Sequence, residues 1–308
     1  MGSSTSKGTQ TLVYASVLYW REHELPLVER CVASLAGQHL DPFLDFRLLV
    51  VDNGCGLTPR LPEGPNIELI RLAHNRGFAG GHNAAMQRAL ANGADYVFLL
   101  NSDAVAEPAC IQELVRAAEA EPSAAFVGPV IIRADDRDHV ESAGQSFSPR
   151  TARHRELARG QTSDNWGDKP VRVDAISGCA MLASRSAIEA LGMLDEDLFV
   201  YFEDMDWCLR AREAGSAVLV APRARVAHIG QGSMGAASPL TTFYSVRNHM
   251  VVASRHGGRL RGPLLKSLVL GYHLAFITRS RPRRNVRHLS AVARGAWSAW
   301  VGRLGAHP

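Results

Sequence analysis

No part of this chain strings together the roughly 18 uninterrupted apolar residues of a membrane-crossing helix, so an integral membrane protein is not expected. The first ten residues, Met1 to Gln10, are polar and rich in Gly, Ser and Thr. They lack the apolar core of a secretion signal, so a flexible N-terminus over 1–10 and a cytoplasmic protein are expected. Cysteine is scarce. The five present (Cys31, Cys55, Cys110, Cys179 and Cys208) include no C-x-x-C pair, which argues against a zinc site or a disulfide framework and for reduced thiols. Acidic residues are missing from Leu240 to Pro308, where 12 Lys and Arg stand with no Asp or Glu. Residues 1–239 consequently carry 22 basic and 30 acidic side chains. Charge divided in this way points to an anionic surface, and a membrane met through 240–308 is the candidate. No base-reading motif accompanies the basic tail, so nucleic acid is not an expected partner.

What is present fits a globular chain: 308 residues, 46% hydrophobic and 21% charged, enough for one large or two modest domains. Thr11 to Leu18 reads as a buried strand. Pro26 then opens a helix with Leu27, Val28, Cys31, Val32, Leu35 and Ala36 at helical spacing. Further strands are expected at Phe46–Val51, Ile67–Ile70, Tyr96–Leu100, Ala125–Ile132 and Ile176–Leu182. Helices are expected after Gly80-Gly81, around Cys110–Ala118 and over Asp204–Ala214, the last stopped by Gly215. Short strands at Val218–Val220 and Arg225–His228 follow. The polar stretch Arg133–Val171 reads as an excursion with a hairpin. Strands alternating with helices predict an α/β fold with a mostly parallel central sheet. After Pro239 helices take over. Val286, Leu289, Ala293, Ala296, Trp297, Trp300, Val301 and Leu304 share one helical face there, suited either to the core or to a bilayer interface. The expected divisions are 1–10, a catalytic domain over 11–239 and a basic helical extension over 240–308.

Ligands of open α/β sheets bind beyond the carboxyl ends of the strands. Three such ends are polar here: Asp52-Asn53, Arg71 to Asn83 and Asn101-Ser102-Asp103. Asn75 to Asn83 (NRGFAGGHN) is a Gly-rich turn into a helix, and glycines let backbone approach a ligand while a helix start favours phosphate. No G-x-G-x-x-G follows the first strand, which excludes a dinucleotide fingerprint. Asp103 fits two roles, a ligand to Mg²⁺ or Mn²⁺ bridging a diphosphate, or the cap of a helix near Glu107; the other polar strand ends favour the first. The run Tyr201 to Trp207 (YFEDMDW) sets Glu203, Asp204 and Asp206 among aromatics. A buried acid there can take the proton of an attacking hydroxyl, with Asp204 as general base and Glu203 positioning it; the bland reading is a helix start dressed with acids. His228 reads either as a second metal ligand or as a structural histidine.

In order and spacing these pieces resemble the family 2 glycosyltransferases of the GT-A fold, especially the branch of bacterial rhamnosyltransferases. The resemblance spans about residues 11–235 and rests on VVDNG (50–54), NRGFAGGHN (75–83), LLNSD (99–103), GCAM (178–181), GMLDE (192–196), YFEDMDWCLR (201–210) and the stretch from His228 to Ser233. It implies a nucleotide-sugar donor, dTDP- or UDP-linked, and inversion at the anomeric carbon. Asp52 would meet the base, and Asn75, Gly77, Phe78 and Gly80 would lie along the donor. Asn83, Asn101 and Trp207 complete the expected donor-binding set. Asp103 would be the metal-binding acid of a D-x-D element whose first acid is Asn101 here, and His228 would serve the metal or the diphosphate. Where relatives carry a Thr-Tyr-Asn type sequence after the first strand, this chain has Tyr19-Trp20-Arg21, and Tyr19 or Trp20 could stack on the base.

The expected acceptor is a glycan, lipid-linked at the inner face of the cell membrane, with a soluble natural product as the runner-up. A sugar-nucleotide pyrophosphorylase would need a Gly-rich basic loop after the first strand, which Tyr19 to Leu25 lacks. A catalytically dead sugar-nucleotide-binding protein has no need of both Asp103 and Asp204.

Overall fold

The computed structural model describes residues 10–162, 167–230, 238–258, 261–280 and 285–307. Most of the expected N-terminal tail, the end of the His228 to Ser233 segment and the arginines at 281, 283 and 284 lie outside the described residues. The elements run β1 (Thr11–Tyr19), α1 (Leu25–Ala36), β2 (Leu44–Asn53), β3 (Ile67–Leu72), α2 (Gly77–Ala91), β4 (Tyr96–Asn101), β5 (Ala104–Ala106), α3 (Cys110–Ala120) and β6 (Ala124–Arg133). Three short strands follow, β7 (Val140–Ser142), β8 (Gln145–Phe147) and β9 (His154–Glu156), and then β10 (Val171–Arg172), β11 (Ala180–Ser184), α4 (Arg185–Leu191), α5 (Glu203–Glu213) and β12 (Ala217–His228). Three helices end the chain: α6 (Pro239–His256), α7 (Gly262–Ser280) and α8 (Asn285–Val301).

The main sheet runs β10-β12-β6-β11-β4-β1-β2-β3, with β5 on β12 and β7 on β6. Pairing is parallel from β3 through β2 and β1 to β4, and between β6 and β12; β11 lies antiparallel between β4 and β6. The alternating side chains of β1 feed two cores. Val13, Ala15, Val17 and Tyr19 pack with α1 and α3; Tyr14 and Leu18 pack with α2, α5 and the helices from α6 onward. The boundary expected at 239–240 thus falls at the start of a helix that shares a core with the sheet.

Several expectations change in detail. Gly80 and Gly81 lie inside α2, which starts at Gly77. A Cβ at Gly81 would run into Leu18, so this glycine brings helix and strand together. Ile176 to Cys179 is loop, and the strand begins at Ala180. The two short strands after α5 are one, β12, with a register shift between Ala221 and Arg225. Helix α4 was not foreseen; the Ser184 side chain caps it by accepting from Ala187 N at 3.2 Å. The expected face of α8 is divided: Ala296 is buried and Leu289 and Leu304 pack against the core, whereas Val286, Trp297, Trp300 and Val301 are exposed and Ala291, Val292 and Ala299 supply the rest of the buried side.

Gly77 has φ +74°, and a Cβ there would run into the Phe199 carbonyl oxygen. Gly77→Ala is therefore expected to lose about 1–3 kcal/mol in urea unfolding. Gly271→Ala, in α7 with open space around it, should be neutral or slightly stabilising.

Candidate active site

The strand order reverses between β1 and β4: β2 and β3 lie outward of β1, and β11, β6 and β12 lie outward of β4 on the other side, and a cleft of about 390 Å³ opens there. Leu18 and Trp20 line it from β1, and Asn101, Ser102 and Asp103 from β4. The β5–β12 ladder pairs Ala104 with His228, and Ile229 N donates to Asp103 O at 2.9 Å. That ladder sets His228 Nε2 3.5 Å from Asp103 Oδ1. Asp103 is 2% exposed and its Oδ2 has no partner among the described residues. It does not cap α3, whose cap position is Ala109. His228 Nδ1 meets both oxygens of Glu141 at 3.1 Å. Burial opposes charge on this imidazole, but Asp103 and Glu141 outweigh it and push its pKa up to about 10.

The start of α5 enters the same cleft with Glu203 and Asp204. Asp204 accepts from Gly178 N through Oδ2 and from its neighbour Met205 N through Oδ1, each at 2.7 Å. Burial raises its pKa, and these N–H groups moderate the rise. Glu203 is pushed well above the usual carboxylate range by burial and then by the Asp204 charge, and its Oε2 is unpartnered among the described residues. Ionisation is thus opposed at both acids, and more strongly at Glu203, which has the Asp204 charge beside it, than at Asp204, which has two N–H donors. Asp206 belongs elsewhere. Burial opposes its charge, but His256, Arg210 and Arg255 hold its pKa below the usual value in a network on the far side of α5.

The approach to α5 is strained. Phe199, Tyr201 and Phe202 have φ of 65°, 69° and 69°, a region costly for aromatic residues, at roughly 1–3 kcal/mol each. Phe199 centres a tight turn in which Val200 N donates to Leu198 O at 2.7 Å. Two buried side chains of α6 hold this path. Asn248 Nδ2 lies 2.7, 2.9 and 2.8 Å from the carbonyls of Leu198, Val200 and Tyr201. Arg247 donates to the carbonyls of Leu198, Asp197 and Gly305. Beside them His249 stacks on Phe202, with centroids 4.7 Å apart, and bonds Ala152 O at 2.6 Å.

Of the residues singled out from sequence, Trp20, Asp103, Asn101, His228, Phe78, Glu203 and Asp204 line this one cleft. The others do not. Asp52 is buried, accepting from Cys55 N at 2.7 Å, from Gly56 N and from Arg71, so it shapes its own turn. Asn75 and Gly77 O accept from Asn53 and fix the start of α2. Gly80 packs against Arg76 and Glu196. Asn83 bridges to Leu194 and Glu196. Trp207 is 0% exposed, packs on Phe126 with centroids 4.3 Å apart and donates to Gly192 O; it is a core residue and cannot stack on a ligand. Tyr19 is buried with its hydroxyl on Leu57 O.

Sequence reading missed His82, Glu141, Gln145, His154 and the Arg247-Asn248 pair. His82 is buried, and desolvation lowers its pKa to about 3, so it stands neutral with Nδ1 on Ser16 and Nε2 unpartnered among the described residues. Only Arg247-Asn248 carried a signal: a cation and an amide inside the apolar helical run Phe243–Ala253.

Asp103 and His228 fit a divalent cation once the imidazole gives up its proton. Asp103 sets Oδ1 beside His228 Nε2 and leaves Oδ2 unpartnered among the described residues, and the other imidazole nitrogen is held by Glu141, the usual outer support of a metal-ligating histidine. No group of three or more His, Cys, Asp or Glu able to hold a metal occurs among the described residues. The protein thus offers few ligands and leaves places for phosphate oxygens, as Mg²⁺-type sites do.

The family model described as "Glycosyltransferase like family 2" matches residues 13–249. The chain belongs to this family. This glycosyltransferase is 30% identical over 301 residues to the N-acetylglucosaminyl-diphospho-decaprenol L-rhamnosyltransferase of Mycobacterium tuberculosis, covering 88% of this chain and 94% of that one. It is 27% identical over 231 residues to the dTDP-rhamnosyl transferase RfbF of Shigella flexneri, covering 72% and 74%. Its fold is that of the GT-A glycosyltransferases. The mannosyltransferase PcManGT of Pyrobaculum calidifontis, solved with GDP-Man and Mn²⁺, superposes with a TM-score of 0.58 at 16% identity, over 96% of this chain and 88% of that one.

Asn248→Ala strips the strained turn of its amide and should cost about 3 kcal/mol in urea unfolding. Asn248→Asp sets a carboxylate against three carbonyl oxygens and should cost more. In whatever folded fraction remains, kcat should fall further than nucleotide affinity, read by steady-state kinetics beside calorimetry.

Proposed function

We propose that this glycosyltransferase moves a sugar, rhamnose first among the candidates, from a dTDP- or UDP-linked donor to a hydroxyl of a lipid-linked glycan, with inversion. The observation that carries the reading is the meeting of Asp103 and His228 with Glu203 and Asp204 in one cleft, though about a hundred residues of sequence separate Asp103 from Glu203. The names of the two rhamnosyl-transferring relatives support the sugar and, for the mycobacterial enzyme, a diphospho-decaprenol acceptor. No described helix is long and apolar enough to cross a membrane; a protein held peripherally at the inner face would meet such an acceptor through 240–308.

In this reading the charge on Asp204 accepts the proton of the acceptor hydroxyl as its oxygen bonds to the anomeric carbon. The bond from that carbon to the diphosphate oxygen breaks on the opposite face, and the electron pair leaves with the nucleoside diphosphate. Gly178 N and Met205 N aim the carboxylate, and Glu203, holding a proton, keeps a second negative charge away from it. Mn²⁺ or Mg²⁺, when held by Asp103 and His228, would supply positive charge against the departing diphosphate. Trp20 and Phe78 offer flat apolar surfaces to the donor. Asp52, Asn75, Gly77, Gly80 and Asn83 serve that wall from behind by fixing the β2 turn and the start of α2.

Purified Asp204→Asn should bind the nucleotide-sugar nearly as the parent does and lose about 10²–10⁴-fold in transfer. Asp103→Ala should weaken donor binding itself. Full turnover in Asp204→Asn would remove the base assignment. The pH profile carries a sign. A base must be ionised, and burial raises the pKa of Asp204. The acidic limb of kcat/KM should therefore fall away above the ordinary aspartate value of about 4, activity being lost as pH drops through the raised pKa.

A further inference from the structure

We propose that the outer face of α7 and α8 is a docking surface for an anionic lipid bilayer, and that it holds the mouth of the cleft at that surface. On α7, Leu264, Leu268, Tyr272 and Phe276 recur every fourth residue and are 61%, 47%, 47% and 49% exposed. Such spacing makes one stripe along the helix. On α8 the inward side is small: Gly295 lies so close to α6 that a Cβ would run into Phe243 O. The large apolar residues point out, with Trp297 64% and Val286 82% exposed. The two helices meet where Lys266 of α7 donates to Ala299 O and sits 5.2 Å from the Trp300 ring. An isolated exposed Leu needs no explanation, but a stripe joined to two outward tryptophans does.

Charge selects the occupant. No acid stands anywhere from 240 to 308, and Arg261, Arg279, Arg287, Arg294 and Arg303 are exposed beside the apolar stripe. A second copy meeting this face in a two-fold contact would bring cations against cations. Anionic headgroups neutralise them, while Trp, Tyr and Leu enter the acyl boundary. The face also runs on to the cleft. Tyr272 meets His249 edge to face at 6.4 Å, and His273 Nε2 lies 3.2 Å from His249 Nδ1. His249 in turn packs on Phe202 and His154, both of which line the cleft. A bilayer against α7 would therefore lie beside the side of the cleft where α5 presents Asp204. That orienting consequence rests on the lipid-linked acceptor proposed above; adhesion itself does not.

The test is co-sedimentation of the full chain with vesicles of phosphatidylcholine alone, and of phosphatidylcholine with about one-third phosphatidylglycerol. The parent should pellet with the anionic vesicles, poorly with the neutral ones, and less as salt rises. Trp297→Ser/Trp300→Ser and, separately, Leu268→Ser/Phe276→Ser should each lower the partition coefficient at least tenfold, with thermal unfolding and UDP or dTDP affinity unchanged. Arg279→Glu/Arg287→Glu should abolish the preference for anionic vesicles. Three results would overturn the proposal: a parent that stays in the supernatant, substituted proteins that bind like the parent, or a parent dimer that these substitutions convert to monomer without any vesicle binding. Vesicle binding without transfer to a lipid-linked acceptor would instead sink the acceptor reading and leave the docking surface standing.

Discussion

Two adjacent acids, Glu203 buried and Asp204 half-buried, stand at the first turn of α5, and the backbone that delivers them is one that aromatic side chains resist. Everything else at the site answers to that constraint. Phe199, Tyr201 and Phe202 sit at positive φ, so this path would relax if nothing opposed it. Asn248 and Arg247 oppose it with donors aimed at the backbone carbonyls of 197–201, from a helix that begins 36 residues after Glu203. Gly77 opposes it from the other side, because only a residue without Cβ can sit against Phe199 O. The glycine-rich segment and the C-terminal helix, which look unrelated along the chain, thus act on one turn.

The charges follow a similar economy. Asp103 and Glu141 bracket His228, and burial with the neighbouring Asp204 charge resists ionisation of Glu203 more than Asp204, with its N–H donors, resists its own. The arginines of α5 and α6 gather around Asp206 on the opposite side of the helix. Among the described residues the cleft is therefore left with unpartnered oxygens on Asp103, Gln145 and Glu203 and with neutral His82. A site rich in buried acceptors and lined, among the described residues, by no Lys or Arg suits ligands that bring donors and positive charge with them, which hydroxyl-bearing sugars and a divalent ion do.

The sheet was legible because its strands are continuous apolar runs, buried on both faces. Both acidic elements were legible too, Asp103 as the polar end of such a run and Glu203-Asp204 as acids among aromatics. What sequence could not give was direction. Trp207 carries the same local text as Asp204 yet faces the core, because the turn of the helix sets it on Phe126. Asp52 ends a strand as Asp103 does, but the following N–H groups of Cys55 and Gly56 fold back onto it. Gly80 and Gly81 read as a phosphate cradle and turn out to serve helix packing. Which way α8 turns its tryptophans was open in sequence: Gly295 lies so close to α6 that a Cβ would not fit, small alanines fill the buried side, and Trp297 and Trp300 stay outside. Glu141, Gln145 and His154 arrive on short strands of the excursion, whose sequence has no period to mark them.

The central claim is that the acids at 103 and 204 act on one substrate from one cleft. A crystal structure with Mn²⁺ and an intact nucleotide-sugar tests it most directly. The account predicts anomalous signal from Mn²⁺ at Asp103 and His228, the diphosphate on that ion, and the anomeric carbon turned toward the Asp204 carboxylate. Manganese or nucleotide bound elsewhere, or a sugar whose anomeric carbon faces away from Asp204, would contradict it.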